Sequence, residues 1–308
     1  MRALLMALCL VLLEHAEAEE VTLTTELGPL AGTLEVPTAG RMRAMVLLIA
    51  GSGPTDRNGN SLVLPGPNNG LRYLAEALLA QRVGSLRFDK RLIGGSATDR
   101  LSEADLKFDA FVEDARLWVE YLRERFEEPI YVLGHSEGSL IGIVAAQSID
   151  IAGLISVAGP GRRASEVLLE QLRPQLPAPL LREAERVVAE LVAGRTVAAP
   201  PPALAALFRA SVQPYLISWF AYDPAEQLAR LNVPVLLVYG STDIQVAPQE
   251  GELLRRANPR AAYVVIEGMN HVLKQVGPDR QAQIASYSDP ALPISEGLVR
   301  EILAFLPD

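Results

Sequence analysis

The sequence predicts an α/β fold, with a mostly parallel central sheet, helices on both faces and an inserted helical cap. Short, uniformly apolar segments alternate with segments of helical period, which is typical of strands buried between layers of helices. Residues 161–230 interrupt this alternation, because they are rich in proline and helix formers and contain no β-rich segment. Hydrophobic residues make up 49% of the chain and charged residues 21%, which indicates a globular protein.

The predicted strands and helices follow one another along most of the chain. Apolar or β-branched runs bounded by turn residues predict strands at 21–36 (a hairpin around Gly28), 45–50, 83–88, 130–133, 154–158, 235–239 and 263–266. Amphipathic or small-residue segments predict helices at 71–81, 109–126, 139–147, 248–257 and 295–305. We expect residues 19–308 to form one domain with the cap inserted at about 161–230.

The composition excludes several classes of function. With 37 acidic and 28 basic residues, the net charge is −9. A nucleic-acid partner is therefore not expected, since such an interface needs a cationic patch. Three histidines and one cysteine, Cys9, are too few for a zinc finger, a disulfide scaffold or a multi-histidine metal centre. We expect neither a metal nor an organic cofactor.

Residues 1–18 have the layout of a secretory signal peptide. Arg2 precedes an apolar run at 4–13, and Ala16 and Ala18 are the small residues expected before a cleavage site. The run is half the length of about 20 apolar residues that crosses a membrane. We therefore expect cleavage after Ala18, export to the periplasm or the medium of a bacterium, and no stable membrane span.

Ser136 is the predicted nucleophile. Residues 134–138 read Gly-His-Ser-Glu-Gly, a G-x-S-x-G pattern between a predicted strand and a predicted helix. In this context the pattern indicates a sharp turn that exposes the serine hydroxyl. Glycine is needed two residues before and after the serine, because side chains at those positions would not fit in the turn.

A serine hydroxyl becomes a nucleophile when a base takes its proton. Loss of the signal peptide would remove His15, so the candidates are His135 and His271. His135 adjoins Ser136 on the tight turn and should point away from the hydroxyl, which favours structural support of the turn. His271, on the loop after the last predicted strand, is the predicted base.

An acid that orients the histidine is expected at a strand end between the serine and the histidine in the chain. Asp243 meets both conditions, because it follows the strand at 235–239 and a glycine turn. Asp223 and Glu267 are the alternatives. Each of those two would otherwise be a surface charge or part of a local ion pair.

Acyl transfer also needs N–H donors directed at the developing oxyanion. The backbone N–H of Glu137 is one candidate, at the start of the helix after the serine. Ser52, in the Gly-Ser-Gly loop at 51–53, is the other. A nucleotide site in this loop is disfavoured, because a third glycine and a Gly-Lys-Ser/Thr sequence are missing.

The chain resembles the α/β-hydrolase superfamily, and within it bacterial esterases grouped with serine-aminopeptidase-type hydrolases. The motifs that carry the resemblance are GSGPTDRNGN at 51–60, RFDKR at 87–91, GHSEG at 134–138, GSTD at 240–243 and Asn270-His271. The match covers roughly 21–160 and 230–308. It implies the hydrolase fold, a triad of Ser136, Asp243 and His271, and oxyanion donors at Ser52 and Glu137.

One position departs from the pattern of this superfamily. Relatives tend to continue Asp-Lys-Arg with glycine, and here Leu92 stands in that place. The charged residues at 56–57 and 89–91 are expected to form ion pairs that support loops, with contact to substrate as the alternative.

The expected reaction is hydrolysis of small to medium acyl esters through an acyl-enzyme. The aromatic cap segment at 213–222 is expected to line the acyl pocket through Tyr215, Trp219 and Phe220, the alternative being that it only seals the cap core. Thioester or peptide hydrolysis by the same triad is a rival, as is a non-catalytic binding module. A dehalogenase or epoxide hydrolase is disfavoured, because it would carry aspartate in place of Ser136.

Overall fold

One sheet of eight strands forms the centre of the protein, whose computed structural model describes residues 18–308. The strands are β1 (Ala18–Thr25), β2 (Gly28–Glu35), β3 (Ala44–Ile49), β4 (Val83–Phe88), β5 (Ile130–His135), β6 (Gly153–Val157), β7 (Val235–Gly240) and β8 (Ala262–Ile266). Their order across the sheet is β1-β2-β4-β3-β5-β6-β7-β8. The pairs β1/β2 and β2/β4 are antiparallel and the pairs from β4 to β8 are parallel, which confirms the mostly parallel sheet.

Helices connect most of these strands. They are α1 (Gly70–Leu79), α2 (Phe108–Arg125), α3 (Glu137–Ala145), α4 (Ala164–Leu172), α5 (Ala178–Val192), α6 (Ala205–Phe208), α7 (Gln213–Phe220), α8 (Pro224–Leu228), α9 (Pro248–Ala257), α10 (Arg280–Ser286) and α11 (Glu296–Phe305). Short 3-10 turns lie at Gly94–Ser96, Glu103–Asp105, Pro202–Leu204 and Ala210–Val212.

The sequence patterns predicted most of these elements. The segments predicted at 83–88 and 248–257 coincide with β4 and α9 residue for residue. The helix after Ser136 begins at Glu137, two residues earlier than predicted. No pattern predicted α10, because seven residues are too few to show a helical period.

Apolar clusters lie on both faces of the sheet. One face packs against α2 and α3 and includes Trp118 and Ile141, and the other packs against α1 and α11 and includes Leu78. Successive residues of β3 point into opposite clusters, Leu47 into the first and Leu48 into the second. A strand with both faces buried in this way is apolar throughout, which explains its continuous hydrophobic sequence.

The interval predicted as a cap contains the helices α4 to α8 and, in the described structure, no strand. Helices α4 to α7 enclose an apolar cluster of their own that includes Leu191 and Phe208, whereas Leu228 of α8 belongs to the cluster beneath α2. Tyr215 and Trp219 of α7 contact both this cluster and the cluster beneath α2. Helix α7 therefore attaches the cap to the sheet.

The predicted signal peptide lies outside the described residues except for Ala18, which is exposed at the start of β1. From Ala18 to Asp308, no helix has the length and apolar character needed to span a membrane.

Candidate active site

Ser136 lies at the turn between β5 and α3, at the carboxyl edge of the parallel strands. Its backbone has φ 55° and ψ −120°, a conformation that residues with side chains rarely adopt. A Cβ atom on Gly134 would collide with the backbone of Gly138, and one on Gly138 with the backbone of Ile49. The predicted need for glycine on both sides of Ser136 is confirmed.

His271 and Asp243 meet at the same edge, on the loops that follow β8 and β7. Nδ1 of His271 lies 2.8 Å from Oδ2 of Asp243, and the two side chains are 6% and 0% exposed. Oδ1 of Asp243 accepts the backbone N–H groups of Gln245 and Val246. Because a carboxylate can only accept, Nδ1 carries the proton in this bond, and Nε2 is the ring nitrogen left to act as a base.

The two alternative acids lie elsewhere. Asp223 is the N-cap of α8, where its side chain accepts two backbone N–H groups, and it also lies 3.6 Å from Arg163. Glu267 is exposed on the loop after β8. Of the three candidates, Asp243 is the one that contacts His271 in residues 18–308.

His135 supports the loop that carries His271. The sequence predicted a structural role for this residue, but in support of the serine turn. Its Nε2 donates to the backbone carbonyl of His271 at 2.8 Å, and the two ring centroids are 4.8 Å apart. Burial, reinforced by the neighbouring His271, lowers the pKa of His135 to about 3. His135 is therefore neutral at pH 7 and holds the backbone of the predicted base.

The two predicted oxyanion donors flank Ser136. Glu137 is the first residue of α3, so its N–H has no acceptor within the helix. A Cβ atom on Gly51 would lie 3.2 Å from Cβ of Ser136, which places the following residue, Ser52, beside the serine. In the described part of the chain the Ser136 hydroxyl is not hydrogen-bonded to His271, and such bonds often tighten only when substrate binds.

A buried polar cluster lies beneath this site. Nζ of Lys90 donates to Oε2 of Glu137 at 2.7 Å and to the carbonyl of Gly51 at 2.6 Å. Tyr215 of α7 donates its hydroxyl to Oε1 of the same glutamate. Sequence reasoning missed these contacts, because residues that far apart in the chain leave no local pattern.

The predicted loop-supporting ion pairs are present. Arg57 pairs with Asp89 at 2.8 Å, and Arg91 pairs with Asp114 on α2. Burial raises the pKa of Asp114 to about 7 although Arg91 favours its charged form. Asp56 instead accepts two backbone N–H groups of its own loop.

Leu92 has a left-handed backbone conformation of the kind that glycine adopts without strain. Its φ is 66°, in the left-handed region that a β-carbon disfavours. The side chain packs against the cluster beneath α2 and lines a cavity, which offsets the backbone strain. The loop thus holds a left-handed backbone conformation at a residue that carries a large side chain.

A cavity of about 190 Å³ opens between the loop at 51–54 and the cap. Its walls are mostly apolar, and the residues that line it are Gly53, Pro54, Lys90, Arg91, Leu92, Ile93, Glu103, Leu106, Phe111, Arg209, Val212 and Tyr215. Of the three residues predicted to line the acyl pocket, Tyr215 lines this cavity. Trp219 stacks on Phe108, and Phe220 is buried in the cap cluster.

The chain belongs to the alpha/beta hydrolase family, whose model matches residues 46–284. Esterase EstD of Thermotoga maritima is similar, with 27% identity over 265 residues, which cover 84% of this chain and 61% of that protein. The chain thus spans less than two thirds of the length of this relative.

Solved structures with the same fold include several enzymes at low sequence identity. Est1E of Butyrivibrio proteoclasticus with bound ferulic acid has a TM-score of 0.60 at 18% identity, covering 92% of this chain and 98% of that one. The esterase Pf2001 of Pyrococcus furiosus has a TM-score of 0.58 at 18% identity, covering 94% and 90%. BpoC of Mycobacterium tuberculosis has a TM-score of 0.54 at 18% identity, covering 90% and 94%. At these identities the likeness shows the fold alone.

Proposed function

We propose that this protein is a carboxylesterase that uses Ser136, His271 and Asp243 as a catalytic triad. The observation that carries the proposal is the buried Asp243–His271 hydrogen bond, at the same edge of the sheet as a serine held on a strained turn. That turn and the family of the chain make acyl transfer the chemistry that these residues fit best. The similarity to esterase EstD supports an ester as substrate.

In the proposed mechanism the Ser136 hydroxyl attacks the ester carbonyl while Nε2 of His271 takes its proton. The negative charge on the former carbonyl oxygen is stabilised by the N–H groups of Ser52 and Glu137. His271 then protonates the leaving alcohol, and an acyl-enzyme remains. Water, deprotonated by His271, attacks the acyl-enzyme and releases the acid.

The cavity beside the oxyanion loop indicates a small to medium acyl group. Its volume of about 190 Å³ is below the roughly 300–1,000 Å³ of pockets that enclose drug-sized ligands. Its apolar walls favour an alkyl or small aromatic group. An aminopeptidase would need a free carboxylate for the substrate's ammonium group, and Glu103 is engaged by Arg209 and Ser211.

The proposal is tested by labelling with a fluorophosphonate and by hydrolysis of nitrophenyl acetate and butyrate. We expect the wild-type protein to be labelled and active, and Ser136→Ala to be neither. Ser139→Ala is the matched control, because this buried serine lies three residues further on and bonds to Ser156. Faster turnover of acyl thioesters or aminoacyl arylamides would assign one of the rival activities. A folded wild-type protein that is neither labelled nor active would contradict the proposal, and a non-catalytic binding module would be the remaining interpretation.

We further propose that the protein is exported, on the strength of the N-terminal sequence pattern. Cleavage after Ala18 would remove one exposed residue of the edge strand β1. N-terminal sequencing of the protein from the periplasm of an expressing bacterium should begin at Glu19. Recovery of the uncleaved chain in the cytoplasm would contradict the proposal.

A further inference from the structure

Lys90 connects both elements that supply the oxyanion donors. Its side chain is 3% exposed, and Nζ lies 5.2 Å from the ring centroid of Phe111. One hydrogen bond from Nζ goes to the carbonyl of Gly51 and another to the side chain of Glu137. No other lysine of residues 18–308 touches either element, and water has almost no access to compete for these bonds.

The Gly51 carbonyl and the Ser52 N–H belong to the same peptide group. In a planar trans peptide the C=O and N–H bonds point in opposite directions. A lysine that holds the carbonyl on one side therefore fixes the direction of the N–H on the other. Its positive charge also polarises the peptide group, which strengthens the N–H as a donor.

Lys90 also fixes the position of the second donor, the backbone N–H of Glu137, through the Glu137 side chain. The carboxylate of Glu137, 1% exposed, is held by Lys90, and the backbone N–H of this residue begins α3. The two N–H groups must stand at a fixed separation to bind one oxygen atom. A single ammonium group that bonds to both elements sets that separation.

We propose that Lys90 is a positioning residue that aligns the Ser52 and Glu137 N–H groups around the substrate oxyanion. The inference rests on the proposed esterase activity. The alternative is that the Lys90–Glu137 pair contributes only to folding, although buried ion pairs are weak contributors to stability. The two roles of Lys90 can be distinguished by kinetics. Alignment of the two donors stabilises the transition state and not the bound substrate, whereas a contribution to folding changes the stability of the protein.

The test is the kinetics of Lys90→Met, whose side chain keeps the apolar stem and removes the ammonium group. We expect kcat to fall about 10- to 100-fold with KM changed less than about threefold, since loss of one oxyanion donor costs about 10²- to 10³-fold. A trifluoromethyl ketone, which forms an oxyanion on Ser136, should bind more weakly by a similar factor. Butyramide, a neutral analogue of the ester that forms no tetrahedral oxyanion, should bind as before.

One matched variant separates alignment from the loss of a buried charge. Glu35→Gln removes the carboxylate of another buried pair, with Arg87, and should leave kcat within about twofold. If Lys90→Met does not fold, Lys90→Gln is measured instead. Failure of both to fold overturns the proposal, because Lys90 would then be structural.

The outcomes distinguish this inference from the proposed function. An active wild type together with an unchanged kcat in Lys90→Met rejects the role of Lys90 and leaves the esterase intact. Equal weakening of the ketone and of butyramide also rejects it, since that result indicates general damage to the site. A wild type that is neither active nor labelled at Ser136 rejects both.

Discussion

Nε2 of His135 lies 2.8 Å from the backbone carbonyl oxygen of His271, so the residue before the nucleophile holds the loop of the proposed base. This bond joins the ends of β5 and β8, which lie three strands apart in the sheet. The bond requires a proton on Nε2 of His135, which both the neutral and the protonated imidazole can supply. Because burial disfavours the protonated form of His135, the stability of the folded protein depends on pH.

His135→Gln should flatten the dependence of stability on pH below 6.5. The pKa of His135 is lowered to about 3 in the folded protein, against an ordinary value of 6.5. Between these values the unfolded chain binds a proton that the folded chain does not, so the free energy of unfolding falls as pH falls. The contribution of His135 to this decrease in the free energy of unfolding reaches about 2 kcal/mol at pH 5.

Urea denaturation of the wild type and of His135→Gln at pH 7.5 and pH 5 measures this effect. Glutamine can still donate to the His271 carbonyl, so the variant should fold and keep most of its activity. Identical losses of stability in the two proteins on acidification would show that His135 does not titrate as described.

Asp243→Asn should lower kcat by about 10³- to 10⁴-fold while the protein stays folded. The amide can still accept the backbone N–H groups of Gln245 and Val246, but it no longer holds the tautomer of His271 with Nε2 free. Nitrophenyl ester turnover is the measurement, with Asp223→Asn as the control, because Asp223 caps α8 far from His271. Turnover near the wild-type level in Asp243→Asn would remove Asp243 from the triad.

Leu92→Ala should destabilise the protein more than Leu92→Gly, although alanine keeps more of the side chain. Both variants lose the packing of the leucine, but only glycine relieves the strain of φ 66°, worth about 1 kcal/mol. Thermal melts of the two variants check the order. The reverse order would mean that the loop relaxes to an ordinary conformation when the leucine is removed.

Val212→Phe should shift the preference of the enzyme toward shorter acyl chains. Val212 lines the cavity of about 190 Å³, and a phenyl ring there would occupy part of its volume. We expect kcat/KM for nitrophenyl butyrate to fall at least about tenfold relative to that for the acetate, in line with the cost of misfit in an apolar pocket. Val192→Phe, on the exposed side of α5, is the control and should leave the ratio unchanged. An unchanged ratio in Val212→Phe would place the acyl group elsewhere.

The sequence alone determined which segments form strands and helices, and in what order the proposed catalytic residues follow one another along the chain. Apolar runs and helical periods are local properties, so the strands that form the parallel sheet and the helices that cover it could be predicted. The turn at Ser136 could also be predicted, because the two glycines are a steric requirement of the turn itself. The low number of histidines left few candidates for the base that activates Ser136.

Only the tertiary structure decided which side chains meet. Asp243, Asp223 and Glu267 were all possible partners of His271 until the packing of the β7 and β8 loops brought Asp243 to it. The contacts of Lys90 depend on three separate strand ends converging at one edge of the sheet. Phe220 is buried in the cap because the cluster of α4 to α7 encloses it, whereas Trp219 stacks on Phe108 of α2. Such contacts join residues distant in the chain, and their energy comes from burial and geometry that no local pattern records.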